Sequence, residues 1–336
     1  LAKEVIDKAK IIGLGSYLPE RVLTNRDLEQ MVETSDEWIV SRTGMKERRV
    51  ARSDEYTSDM GLQAARLALD DAGLLPDAID LILVATLTPD YLFPSTACLI
   101  QTRLGAHKAA AVDIQAACTG YLYALSFAKA CVESGAYRNV LIVAAEKLSS
   151  ITDYQDRSTC ILFGDGASAC VVSKAKDGLV IESVTLGCDG EQAQLLMMPA
   201  GGARRPASVE TVQERGHYIK MAGNEVFKHA VRRMEASCKE CLDQAQVKET
   251  EVNWLVPHQA NVRIIDAIAR RFDHLPAERV FKTVHKYGNT SASSVGIALD
   301  ELLTEHPIAD GDRILLTAFG AGLTWGSVLL RQSVAR

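Results

Sequence analysis

Apolar and polar positions along the chain fall into a pattern that occurs twice. In Ala65–Thr86, ARLALDDAGLLPDAIDLILVAT, apolar residues recur at helical spacing, stop at a short polar turn, and resume as an unbroken apolar run. Helix, turn and buried strand are predicted. Met234–His258, MEASCKECLDQAQVKETEVNWLVPH, reads the same way; Ala72 precedes Ile79 by seven residues and Ala245 precedes Val252 by seven. A strand leading into a helix follows at Val112–Val132 and again at Val280–Leu303. Asn139–Glu146 and Arg313–Gly320 are continuous apolar runs of the kind covered on both faces. Phe163–Val172, FGDGASACVV, is echoed by Phe319–Val328, FGAGLTWGSV. The paired segments lie 156 to 174 residues apart and keep the same order. Four echoes in register predict two similar α/β halves, residues 1–175 and 176–336, joined by the polar linker Ser173–Gly178. Alternating helices and buried strands predict largely parallel sheets covered by helices.

Composition narrows the class. The 336 residues are 47% hydrophobic and 24% charged, ordinary for a globular protein able to bury a sizeable core. A net charge of −6 gives no reason to expect nucleic-acid binding. No apolar run reaches the roughly 18 residues that span a bilayer, so no membrane association is expected. The opening LAKEVIDKAKIIGLGSYLPE scatters charges and lacks a signal-peptide core. Eight cysteines are too sparse for a disulfide scaffold, which points to reduced thiols and a cytoplasmic setting. Gly187–Tyr218, rich in Gly, Pro and charge, has no counterpart in the other half and reads as a surface excursion near a site.

Glycine motifs here are misleading. GLGSYL at Gly13 lacks the third glycine and the following helix that a dinucleotide site requires, and FGAGLTWG leads into another strand. Tight turns and close packing explain both better. Cys238 and Cys241 have CxxC spacing, but no second pair completes a zinc site, and helical spacing turns them to the core.

Cys118, in VDIQAACTGYLYAL, lies between a predicted strand and a helix from about Thr119 to Val132. A helix start favours an anion, so a thiolate would be stabilised there, and Ala116, Ala117 and Gly120 leave space around the sulfur. A buried structural cysteine explains the same residues equally well. His258 closes a buried strand in WLVPHQAN, and Asn289 stands in the loop YGNTSASS before another helix. Either alone reads as a core histidine or a turn-forming asparagine. All three nevertheless fall at equivalent strand-to-helix corners, and a nucleophile, an imidazole and an amide donor together suffice for acyl transfer.

AACTGYLYAL, WLVPHQAN, YGNTSASS and FGAGLTWGS, with TSDEWIVSRTGMKERR near the N-terminus, resemble the β-ketoacyl-acyl-carrier-protein synthase III family of bacterial fatty-acid synthesis. The resemblance covers almost the whole chain. It implies the thiolase fold, a duplicated α/β unit in a five-layer αβαβα arrangement, and a homodimer. It also implies an initiating condensing enzyme, an acyltransferase that uses acyl-CoA and malonyl-acyl carrier protein as substrates and no cofactor or metal. Cys118 would take a short acyl group, acetyl by expectation, from coenzyme A, while His258 and Asn289 hold the malonyl thioester as it loses CO2. Backbone amides of Cys118 and Ala321 would form the oxyanion hole, Ala321 standing where many members have glycine.

By the same resemblance, Trp38, Arg42, Arg157, Asn224, Phe227 and Asn261 would contact coenzyme A. Thr34 and Glu37 match a capping box, which would put Trp38 and Arg42 on one helix face. Phe163 and Phe319 would line the acyl pocket beside the nucleophile, and Phe93 would enter it from a partner subunit. Lys228, Arg263, Arg270 and Arg271 match carrier-protein docking positions; Arg263 and Arg270, seven apart on one helix, would share a face. Neighbouring readings fit less well. A degradative thiolase needs a second cysteine in the C-terminal glycine loop, and elongating condensing enzymes use two histidines. Type III polyketide synthases are longer, and a non-catalytic partner would not keep the nucleophile. A specialised relative loading another starter unit for a polyketide or quinolone is the main alternative, and a cysteine thioester hydrolase a distant one.

Overall fold

The computed structural model describes residues 8–175 and 177–334. The opening segment ahead of Lys8 and Lys176 of the expected linker lie outside the described residues.

Nine strands form one hydrogen-bonded sheet: β1 (Lys10–Tyr17), β2 (Leu81–Ala85), β3 (Ala110–Ile114), β4 (Asn139–Glu146), β5 (Gly166–Ser173), β6 (Gly178–Cys188), β7 (Trp254–Pro257), β8 (Arg313–Gly320) and β9 (Thr324–Ser333). Their order is β7-β8-β9-β6-β1-β5-β4-β2-β3. Outward from the centre, β1-β5-β4-β2-β3 on one side is matched by β6-β9-β8-β7 on the other. The position equivalent to β3 is held by a parallel bridge between Leu255 and Val280. Strand directions match too: β4 and β8 run antiparallel to β5 and β9, and parallel to β2 and β7. The two half-sheets join where Lys10 and Ile11 pair with Val180 and Leu179.

The sheet is therefore mixed rather than largely parallel. Apolar runs reveal burial but not direction, and β8 turns straight back into β9 across residues 321–323, which only an antiparallel pair allows. Helices cover both faces. Thr57–Ala72 (α1) and Thr96–Leu104 (α2) pack outside the N-terminal half-sheet, and Gly223–Ala245 (α4) and Val262–Ala269 (α5) pack on the outer side of the other. Between them lie Gly120–Glu133 (α3) and Ser293–Glu305 (α6). Alternate strand residues confirm the layering: Val140, Ile142 and Ala144 join the central core, while Leu141, Val143 and Ala145 join the outer one. Five layers, αβαβα, result.

The GLGSYL glycines lie inside β1, where the lack of side chains lets α1 approach the strand; no turn is involved. Cys238 and Cys241 are buried on α4, as their helical spacing predicts. The excursion Gly187–Tyr218 is pinned at both ends. Asp189 exchanges backbone hydrogen bonds with Leu323 and pairs with Arg233 at 2.9 Å, while Arg215 binds Asp153. The Arg215 hydrogen bond holds the Asp153 carboxyl down at about 2. No helix among the described residues is long and apolar enough to cross a membrane.

Candidate active site

Cys118 sits in a 3-10 turn, Ala117–Thr119, between β3 and α3. Ala117 adopts φ 45°, a left-handed conformation that a residue with a Cβ rarely takes, so the turn stores strain beside the sulfur. The sulfur is buried, and burial pushes its thiol up to about 12. The expectation of a stabilised thiolate is thus reversed: removing the group from water outweighs the helix-start effect that the sequence suggests. Gly120 does not make room for the sulfur either. A Cβ there would meet Ala85 at 2.9 Å and Ala292 at 3.3 Å, so the glycine lets α3 pack. Room at the nucleophile depends on Gly320, where a Cβ would fall 2.8 Å from the Cys118 nitrogen. The Ala321 amide follows directly on that contact.

His258 follows β7 and is buried, its backbone N–H donating to Thr317 O at 2.8 Å. Burial pushes its imidazole down to about 3, so the ring is neutral. Its Nδ1 lies 2.6 Å from Ser294 Oγ, which also accepts the Gln259 N–H at 3.3 Å. Among the described residues that hydroxyl has no other acceptor, so it donates to Nδ1, which leaves Nε2–H as the imidazole donor. Gln259 fixes the turn: its amide donates to Pro257 O and Phe281 O and accepts from the N–H groups of Thr283 and Val284.

Asn289 is buried, and its Oδ1 accepts the Ser291 N–H at 2.8 Å, which leaves its NH2 as the donor side. A parallel bridge ties it to Phe163, which brings Phe163 into the site. Residues 289–294 therefore connect all three corners: Asn289 itself, Ser291 facing the Cys118 thiol, and Ser294 on His258. Ser291, Ser294 and Gly320 escape sequence reading because small residues in such loops look like turn formers. Glu146, whose buried carboxyl acts on the Cys118 thiol, does leave a signal, a carboxylate at the end of an otherwise apolar strand.

Residues 112–190 match the family model described as 3-oxoacyl-[acyl-carrier-protein (ACP)] synthase III, and residues 242–332 match the model of its C-terminal part. A β-ketoacyl-[acyl-carrier-protein] synthase III of Chlamydia caviae is 61% identical over 328 residues, 97% of this chain and 98% of the relative. The chain belongs to the β-ketoacyl-[acyl-carrier-protein] synthase III family. Among solved structures, the synthase III of Aquifex aeolicus aligns with a TM-score of 0.89 at 51% identity, covering 96% of this chain and 99% of that one. A priming β-ketosynthase of the R1128 polyketide pathway aligns at 0.89 and 36% identity, covering 99% of each.

Several residues expected to meet coenzyme A lie against one another. The Arg157 guanidinium stacks 4.3 Å over the Trp38 ring, Asn261 Nδ2 donates to Arg42 O at 3.2 Å, and Arg263 lies 5.4 Å over Phe227. Asn224 is exposed in the first turn of α4, three residues before Phe227. The cap differs by one residue from expectation: Ser35, not Thr34, accepts the Trp38 N–H, so the helix is Asp36–Thr43 and Glu37 closes no box. Phe319 is buried in the outer core next to Gly320, whereas Phe93 is 86% exposed.

The docking residues differ in their surroundings. Lys228 and Arg263 flank Phe227, Lys228 pairing with Glu225, while Arg271 pairs with Glu249. Helix α5 ends at Ala269, so Arg270 opens a 3-10 turn rather than sharing an α-helical face with Arg263. Among the described residues no group of three or more His, Cys, Asp or Glu is arranged to hold a metal ion.

Proposed function

We propose that the protein starts fatty-acid chains as a condensing acyltransferase, with Cys118 of the unit 1–175 as nucleophile and His258 and Asn289 of the unit 176–336 as the decarboxylation pair. The reading rests above all on the loop 289–294, which connects to all three side chains at once. Acetyl transfer from acetyl-CoA forms the Cys118 thioester, the amides of Cys118 and Ala321 receiving the oxyanion. Malonyl-acyl carrier protein then enters. Nε2–H of the neutral His258 and the NH2 of Asn289 donate to its thioester carbonyl, so negative charge developing there as CO2 leaves meets two donors. The enolate carbon attacks the acyl-cysteine to give 3-oxoacyl-acyl carrier protein. Loss of CO2 generates the carbanion, so the chemistry calls for no cofactor.

Trp38, Arg42, Arg157, Asn224, Phe227 and Asn261 would receive coenzyme A, the indole stacking adenine and the guanidinium groups meeting phosphate. Lys228, Arg263 and Arg270 would meet the acidic carrier protein, with Arg271 contributing less because it is paired. A homodimer is supported by exposed apolar surface: Tyr91, Leu92 and Phe93 are 61%, 86% and 86% exposed, and the edge strand β3 presents Val112. Phe93 of each subunit would then close the acyl pocket of the other. Sedimentation should give a dimer for wild type and a monomer for Leu92→Asp with Phe93→Asp. The protein would work in the cytoplasm.

Intact mass spectrometry after mixing with a panel of acyl-CoA thioesters tests the function. An acetyl adduct lost in Cys118→Ala is expected; no adduct, or one that persists in that variant, refutes the assignment. The likeness to a polyketide priming synthase supports a second reading, a different starter unit, and the thioester that loads fastest decides between them.

A further inference from the structure

Glu146, the last residue of β4, is wholly buried yet belongs to no ion pair among the described residues. Its Oε2 accepts from Thr88 Oγ1 at 2.8 Å and from Thr86 Oγ1 and the Leu87 N–H at 3.1 Å each. Its Oε1 has no hydrogen-bond partner, and neither has the buried hydroxyl of Ser291. That hydroxyl faces both the Glu146 carboxyl and the Cys118 thiol, near enough to act on each but outside hydrogen-bond geometry with either. Ser291 is held there in a left-handed conformation, φ 51°, through its N–H bond to Asn289. Two unsatisfied buried polar atoms beside a nucleophile are costly unless they are used.

Resting on the reading of Cys118 as nucleophile, we infer that Glu146 holds the Cys118 proton between the two half-reactions, receiving and returning it through the Ser291 hydroxyl. As Cys118 Sγ bonds to the acyl carbon and the C–S bond to coenzyme A breaks, the thiol proton passes to Ser291 Oγ and the Ser291 proton passes to Glu146 Oε1. The departing coenzyme A thiolate takes a proton from solvent. In condensation the malonyl group loses CO2 and its enolate carbon bonds to the acyl carbon. The electron pair of the breaking bond returns to Sγ, and the proton comes back from Glu146. The overall reaction consumes one solvent proton.

Electrostatics suit the role. Of the titratable groups, Cys118 faces the carboxyl from the 117–119 turn, and Lys147, next on its own chain, turns its ammonium to the carbonyls of Arg52 and Glu55 instead. Thr86, Thr88 and Ser291 contribute only hydroxyls. Burial pushes the carboxyl up to about 7, where it can both accept and release a proton near neutrality.

Iodoacetamide alkylation tests this, followed at the Cys118 peptide by mass spectrometry because Cys98 and Cys188 are exposed and react too. In wild type the rate should rise with pH and level off above an inflection near 7, the ionisation of Glu146. Glu146→Gln keeps an oxygen for the three donors at Oε2 and should fold, as circular dichroism will check. It should lose the inflection and slow alkylation roughly 10²-fold on the alkaline side. Ser291→Ala should do the same with the carboxyl intact. An inflection that survives in either folded variant, or is missing from wild type, overturns the proposal. Alkylation needs no acyl-CoA, so a normal profile without an acetyl adduct would overturn the proposed function and leave the proton route standing.

Discussion

Gly320→Ala is the most exacting test of how the nucleophile is built. The added methyl would lie 2.8 Å from the Cys118 nitrogen, 3.2 Å from its Cβ and 3.3 Å from its Cα. Ordinary contact begins at 3.4 Å, so about 0.6 Å must be yielded. Every atom in the way belongs to Cys118, two of them backbone, so no flexible side-chain end can swing aside. Overpacking of this kind costs about 1–3 kcal/mol of stability, a fall of a few degrees in Tm. The larger effect is on chemistry: the turn moves away from the Cys118 amide and takes the Ala321 N–H with it. A misplacement approaching 1 Å costs on the order of 10²-fold. Acetyl loading, followed by intact mass in single-turnover mixing and normalised to the folded fraction, should fall roughly 10- to 100-fold. Loading within about twofold of wild type would falsify the claim that this contact positions the oxyanion donors.

Three further outcomes follow from the site. Ser294→Ala removes the proton that Nδ1 of His258 receives, so condensation should slow about tenfold or more while acetyl loading of Cys118 stays unchanged; equal slowing of both steps argues against the assignment. Trp38→Ala removes the ring on which Arg157 stacks at 4.3 Å and should raise KM for acyl-CoA about tenfold with little change in kcat, and steady-state kinetics showing the reverse would place the indole elsewhere. The third concerns stability against pH. Below 6.5 the unfolded chain protonates its histidine while folded His258 stays neutral to about 3, so His258 makes stability rise with pH across that span. Glu146 does the opposite between 4.5 and about 7, because the folded state keeps a proton that the unfolded chain has lost. The two slopes oppose one another between 4.5 and 6.5. Glu146→Gln leaves only the histidine, so urea midpoints at the ends of that window should diverge more than in wild type, by up to ~1.4 kcal/mol per pH unit. Identical slopes would show that Glu146 is ionised throughout.

Much of the fold was legible because buried strands and amphipathic helices leave periodic traces, and the two halves leave them twice. Strand direction leaves none, so the hairpin return of β8 into β9 was invisible. Cys118, His258 and Asn289 stood out because a reactive or polar residue at the end of an apolar run is unusual. Ser291 and Ser294 did not, since their value lies in what they face. The protonation of Cys118 is hidden for a related reason: a helix start shows in the sequence, whereas burial of the sulfur does not. Likewise the stacking of Arg157 on Trp38 joins residues far apart in the chain and leaves no local trace.

The pairing of β1 with β5, Lys10 against Ser173, has a consequence for synthesis of the chain. Strand β1 has no neighbour in the sheet until residues 166–173 follow, so its half-sheet can close only then. At that moment the cysteine turn exists, but Ser291, Ser294 and Gly320 have not been made. A chain interrupted between the two half-sheets would carry the sulfur without the groups that surround it, and those surroundings are complete only once Gly320 has been made.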